Sequence, residues 1–192
     1  MTNLKGLIIV AATLFISACT SIPLSTMYKM MNFSPLEFDP RELVVAVKVP
    51  HGMKVRTGDL IVDFGFKAKD AKDSFKHQFL VQVSPNYQLP PELAKEVSPG
   101  DNMTILQLSK EDALTMYNGQ QAVKKYRENS DDGAGSFGLK VESACRDENF
   151  SINDSKLNIY VKLEKDEEFF IFTQDLELVD MSGALEKIPS CS

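Results

Sequence analysis

Histidine is almost missing from this 192-residue chain, which carries only His51 and His77. Histidine is the commonest general acid–base group, yet His51 falls in an expected turn, His77 at an inward-facing strand position, and neither belongs to a catalytic constellation. Both read as structural. No G-x-S-x-G elbow and no Gly-Lys-Ser/Thr phosphate-loop ending occurs, so no motif supports a serine-hydrolase or nucleotide-binding reading. Basic residues are outnumbered, 21 against 27 acidic, for a net charge of −6. That balance disfavours phosphate backbones, and no nucleic-acid partner is expected. After residue 19 no stretch approaches the 18 or so apolar residues of a spanning helix. No internal repeat of solenoid period appears.

Residues 1–19 carry the strongest pattern. Lys5 precedes an apolar run from Leu7 to Ile16, and Ser17 and Ala18 lead to Cys19. As a helix the run is about 15 Å long, roughly half the hydrocarbon thickness of a bilayer. It is too short to span stably, which fits a secretory signal better than an anchor. The four residues Ile16-Ser17-Ala18-Cys19 resemble the lipobox of bacterial lipoprotein precursors, in which Leu more often stands where Ile16 does. The resemblance covers residues 1–20. It implies cleavage between Ala18 and Cys19, a diacylglycerol thioether on the Cys19 thiol, and acylation of the new amino group. Two or three acyl chains, at about 0.8 kcal/mol per buried methylene, make a durable membrane attachment. Thr20 follows Cys19, in place of the Asp that resembles an inner-membrane retention signal. An outer-membrane address is therefore favoured where the cell has one.

Removing residues 1–18 from the 192 leaves 174, a length suited to one domain with a sizeable core. With Cys19 lipidated, Cys145 and Cys191 form an even pair in an oxidising compartment, and a disulfide is the natural use of both. The alternative is a buried Cys145 and a terminal thiol. Metal binding is poorer, because the two cysteines stand 46 positions apart with no nearby histidine.

Residues 19–42 read as a lipid-anchored tether. Pro23, Pro35 and Pro40 punctuate this stretch and it lacks strand alternation. Fully extended, its 22 or so residues reach about 70 Å. It is unusually apolar for a tether: Met27, Tyr28, Met30, Met31 and Phe33 cluster in a short expected helix that Ser25 would cap. Either these side chains pack on the domain or rest against lipid, or they bind a partner, since methionine-rich surface adapts to varied partners.

Residues 43–192 read as a single β-rich globular domain. Leu43, Val45, Val47 and Val49 alternate, as do Leu60, Val62, Phe64 and Phe66, then Phe75, Phe79, Val81 and Val83. An antiparallel meander is expected from these. Pro90-Pro91-Glu92 opens a helical turn carrying Leu93, and residues 103–108 make a fourth strand. Ser109 then caps the one long helix, near 109–128, with Met116, Gly119, Val123 and Tyr126 on one face; the alternative is that Asn118-Gly119 ends a shorter helix. Strands led by Phe137 and by Leu157 follow, and the run from Phe169 to Phe172, apolar on both faces, is expected at a sheet centre. The fold class is α+β, mainly antiparallel β, with seven or eight short strands as a sandwich or a sheet carrying one packed helix.

The acidic groups Asp131-Asp132-Gly133 and Asp166-Glu167-Glu168 read as a solvated turn and a hairpin tip, lacking the ligand spacing of a calcium loop. No catalytic residue, metal site or cofactor is expected. The expected function is that of a lipid-anchored cell-envelope module that binds or scaffolds another envelope protein. The alternatives are an envelope hydrolase or small-ligand carrier whose site assembles only in three dimensions, or a structural spacer. A Cys19→Ser variant is expected to lose membrane fractionation and processing before residue 19, read by fractionation and intact-mass spectrometry. Unchanged membrane association with the same processing overturns the lipoprotein reading.

Overall fold

Val44, Val45, Ala46 and Val47 are consecutive and all buried. A strand with one wet face cannot bury four residues in a row, so this segment needs cover on both sides. The computed structural model, which describes residues 22–148, 150, 155–177 and 188–191, supplies it. Strand β1 (Val44–Val49) lies at the centre of a five-stranded antiparallel sheet ordered β10-β9-β1-β6-β5, with β5 at Gln82–Val83, β6 at Asn102–Gln107, β9 at Lys156–Lys162 and β10 at Phe170–Glu177. Val45 pairs with Leu106 on one side and Val161 on the other.

A second sheet is ordered β4-β3-β7, with β3 at Leu60–Lys67, β4 at Phe75–Leu80 and β7 at Ala134–Val141. A third is the small pair β2 (Met53–Lys54) and β8 (Cys145–Arg146). Of the ten described strands three have only two residues, which leaves seven of six or more. The α+β, mainly antiparallel class holds. The meander does not, because β1 pairs with β6 and β9 and not with the strands that follow it. Its two apolar faces place it inside the sheet.

The main core lies between the inward residues of both larger sheets: Val45, Val47, Leu106, Leu157 and Ile159 meet Leu60, Val62, Phe64 and Phe66 in one cluster. The opposite face of the large sheet has its own small core of Val44, Ala46, Ile105, Tyr160 and Leu93. Helix α2 (Pro91–Ala94) delivers Leu93 to that face. The roof is fastened at Glu96, whose backbone oxygen accepts from Lys48 Nζ at 3.0 Å and whose carboxylate accepts from the Tyr160 hydroxyl at 3.3 Å. Burial raises the Tyr160 pKa, with the Glu96 charge adding to it. Alternation in β1 and β9 thus marks two buried faces.

The run from Phe75 to Val83 turns a corner between sheets. It leaves the small sheet at Leu80, passes through buried Val81, and joins the large one at Gln82, as corner strands do. The run near Phe169 is also placed differently from expectation, because β10 is an edge strand. Its two-sided apolarity arises from cover outside the ladder: helix α1 (Leu24–Asn32) packs beside it. The strand is also kinked. Asp175 has φ of 49° within the second of two register shifts, that between Thr173 and Leu176, and its N–H donates to buried Asn158 Oδ1 at 2.7 Å. That bond accounts for a polar side chain inside β9.

Ser109 caps helix α3 (Lys110–Arg127), its Oγ accepting from Asp112 N at 3.0 Å, and Glu111 and Asp112 occupy the first turn, where the dipole favours them. Met116 and Val123 are buried, and Tyr126 meets the Phe66 ring edge-on at 5.2 Å. The Cys145 and Cys191 sulfurs are bonded. Arg146 N donates to Pro189 O and Cys191 N to Arg146 O, so residues 189–191 lie along β8 as an extra strand segment. Closing 46 residues is worth about 4 kcal/mol in the chain-entropy account, whose mechanism is debated.

Gly119 is where α3 meets the small sheet. A β-carbon there would lie 3.0 Å from Phe64 Cε1 and 3.3 Å from Phe75 Cζ. Phe64 is fully buried and has nowhere to retreat. Gly119→Leu is therefore expected to destabilise by about 1–3 kcal/mol through overpacking, despite its better helix propensity. Chemical denaturation checks this, and an unchanged midpoint counts against the close approach.

Candidate functional site

Two surfaces bear on function, and the first depends on how the chain before β1 is held. Residues 33–40 are part of the body: Phe33, Phe38 and Phe137 form an aromatic triangle with centroids 5.3 to 5.7 Å apart, and Leu36 and Phe38 are buried. The tether expected over 19–42 therefore gives way to core well before Glu42. Gln120 secures the junction. Its buried amide nitrogen donates to Pro35 O at 2.9 Å and Phe38 O at 3.0 Å. It lies four residues after Met116 and three before Val123, inside the apolar stripe of α3. A lone amide in such a stripe is the sequence signal for this contact.

Helix α1 begins after Pro23, whose carbonyl accepts from Met27 N at 3.0 Å. Ser25 is inside the first turn and is not the cap, because Pro23 takes the extended N-cap position with no side-chain bond. Nine residues make a helix that is marginal alone in water. This one is fixed along one side: the buried Thr26 hydroxyl donates to Ile171 O on β10, and Lys29 Nζ sits 4.6 Å from the Phe170 ring centroid. Met30 is half-buried on that side. The other side carries Leu24, Met27, Tyr28 and Met31, which are 83, 50, 70 and 84% exposed. Their spacing of three, four and seven makes a single stripe. The candidates Met27, Met30, Met31 and Phe33 are thus split: Met27 and Met31 face outward, while Met30 and Phe33 turn to the body.

The second surface is a groove of about 530 Å³ between α3 and the start of β4. Phe66, Phe75, Val123 and Tyr126 line it, with Lys72 and Lys125 beside them. Gly119, midway along α3, lies against Phe64 and Phe75 at the closest approach of the helix, and the groove lies beside that contact. Tyr126 is also fixed from its far end, its hydroxyl donating to Asp132 Oδ1 at 2.5 Å. Hydrogen bonds from Ser130 and Tyr126 hold the Asp132 carboxyl below the usual carboxylate range, and the bond to Asp132 raises the Tyr126 pKa. No strand among the described residues pairs with the outer side of β4. Along β4, Phe75, His77 and Phe79 form a ring row at 5.1 and 5.7 Å.

The remaining sequence candidates lie apart. Cys145 and Cys191 bridge β8 to the last described residues, and His51 is exposed in a turn. Ala18 and Cys19 lie outside the described residues. Among the described residues no helix is long and apolar enough to cross a membrane. No protein-family model matches this chain, and no curated protein and no solved structure matches it either. The reading of function therefore rests on these residues alone.

Gln120→Leu removes the side chain that, among the described residues, bonds both the Pro35 and Phe38 carbonyls, and puts an apolar one in its place. A loss of about 1–3 kcal/mol is expected from the unsatisfied buried acceptors, with faster proteolysis between residues 33 and 42. An unchanged denaturation midpoint and cleavage rate would show that the clamp is unimportant.

Proposed function

We propose that this is a lipid-anchored protein of the bacterial cell envelope, attached through Cys19, whose body is a binding module for an extended segment of another envelope protein. The lipobox-like Ile16-Ser17-Ala18-Cys19 supports the anchor, and Thr20 favours the outer membrane where one exists. The observation that carries the binding reading is the open β4 edge beside the apolar groove of α3. An edge strand offers backbone donors and acceptors to an incoming strand, and a neighbouring groove takes its alternate side chains.

The groove volume also falls in the range of small-ligand sites, about 300–1,000 Å³, which is the specific support for a carrier of a small amphipathic molecule. The two readings separate experimentally. A photo-reactive residue at Gln78 on β4 is expected to give a discrete adduct in intact cells, whereas Lys140 on β7, the opposite edge of the sheet, gives none. Ala122→Trp, an exposed change in the groove wall, should cut the Gln78 adduct at least about tenfold, the equivalent of 1.4 kcal/mol of binding. Equal adducts from both edges, or an adduct indifferent to Ala122→Trp, sink the strand-capture reading. A small molecule retained in native mass spectrometry and lost in Ala122→Trp, with no adduct at all, selects the carrier.

A further inference from the structure

The apolar stripe of α1 has an occupant that chain geometry identifies. We infer that Leu24, Met27, Tyr28 and Met31 lie in the headgroup–acyl boundary of the bilayer that holds Cys19, so that α1 is a docking helix orienting the whole body on the membrane. This inference rests on the lipid-anchor reading.

Leu24 stands only five positions after Cys19. Even fully extended this stretch spans at most about 18 Å, and the polar layer of one leaflet is roughly 5–8 Å thick. The start of α1 is therefore tied close to the glycerol of the anchor. The body cannot roam on a 70 Å tether, because α1 is fixed to β10 through Thr26 and Lys29, and the chain after it is fixed by Phe33 and Gln120. The helix meets the bilayer with its exposed side, which is largely apolar and includes a tyrosine, the type of ring that sits well at headgroup level. Interfacial helices bury such a face about 5–10 Å deep.

A second copy of the chain is a poor occupant. Nine residues make a helix about 14 Å long and 10 Å across, far below the roughly 800 Å² a side of a stable protein interface. Charge adds a specific expectation. Lys29 is the only charged residue of α1 and faces Phe170, while Glu37, Glu164 and Glu167 line the adjoining cleft. Docking is thus driven by apolar burial and not by anionic lipid.

The chain contains no tryptophan, so one introduced fluorophore reports on its own surroundings. Met31→Trp and the more conservative Tyr28→Trp are made in the full lipidated protein and reconstituted into phosphatidylcholine vesicles with brominated acyl chains. About twofold quenching relative to unbrominated vesicles, with a blue-shifted emission, is expected at the depth of an interfacial helix. The result should be insensitive to salt and to added phosphatidylglycerol, and Leu80→Trp, on the other sheet, should be unaffected. Full quenching by aqueous iodide with none by bromolipid, in protein that floats with the vesicles, overturns the inference and leaves the anchor standing. Protection from both quenchers puts a second copy on the stripe and also overturns it. Protein that fails to float removes the anchor reading and the inference together.

Discussion

The two hydrogen bonds from the Gln120 amide are the constraint on which the arrangement of this molecule depends. They join the helix over the small sheet to the chain before the first strand, across more than eighty residues of sequence. Without that donor the Pro35 and Phe38 carbonyls would be buried without partners, at a cost comparable to the net stability of a marginal domain element. Because they are satisfied, Phe38 stays against Phe33 and Phe137, and α1 emerges from a fixed point on the body. A segment that composition marks as a tether becomes a strut.

The same economy of contacts explains the sheet order. β1 and β9 carry apolar residues on both faces and lie inside the large sheet, roofed on one side by Leu93 and Tyr87 and packed on the other against the small sheet. β10 is apolar on both faces for another reason: it is an edge strand with α1 beside it. The Thr26 hydroxyl satisfies an outward carbonyl of that edge, which blunts it against unwanted pairing. The edge of β4 has no such cover among the described residues. One edge closed and another open gives the molecule a direction.

In the functional reading proposed above, that direction is useful. The anchor and α1 would set the body on the membrane, and the groove beside β4 would be available for an extended segment. Neither surface needs a catalytic group. Both need a rigid frame, which the bonded Cys145 and Cys191 and the Gly119 contact help to supply.

Local patterns sufficed for much of this. Ser109, the acidic first turn and the Met116–Gly119–Val123–Tyr126 stripe marked α3 to within a residue, because capping and helical periodicity are short-range physics. Alternation located the long strands, and the two cysteines that remain once Cys19 is set aside pointed to the bridge. Neighbours in space were not legible. Whether Val44 and Tyr160 faced water depended on Leu93 arriving from a different part of the chain, and Phe75 to Val83 read as one strand because a corner between sheets leaves no mark on alternation. The sequence by itself determined the elements and the apolar side chains of residues 24–31. Only the tertiary structure decided which of those side chains are buried and which are presented, since Thr26, Lys29 and Gln120 choose the buried side of the segment through partners some eighty to 145 residues away.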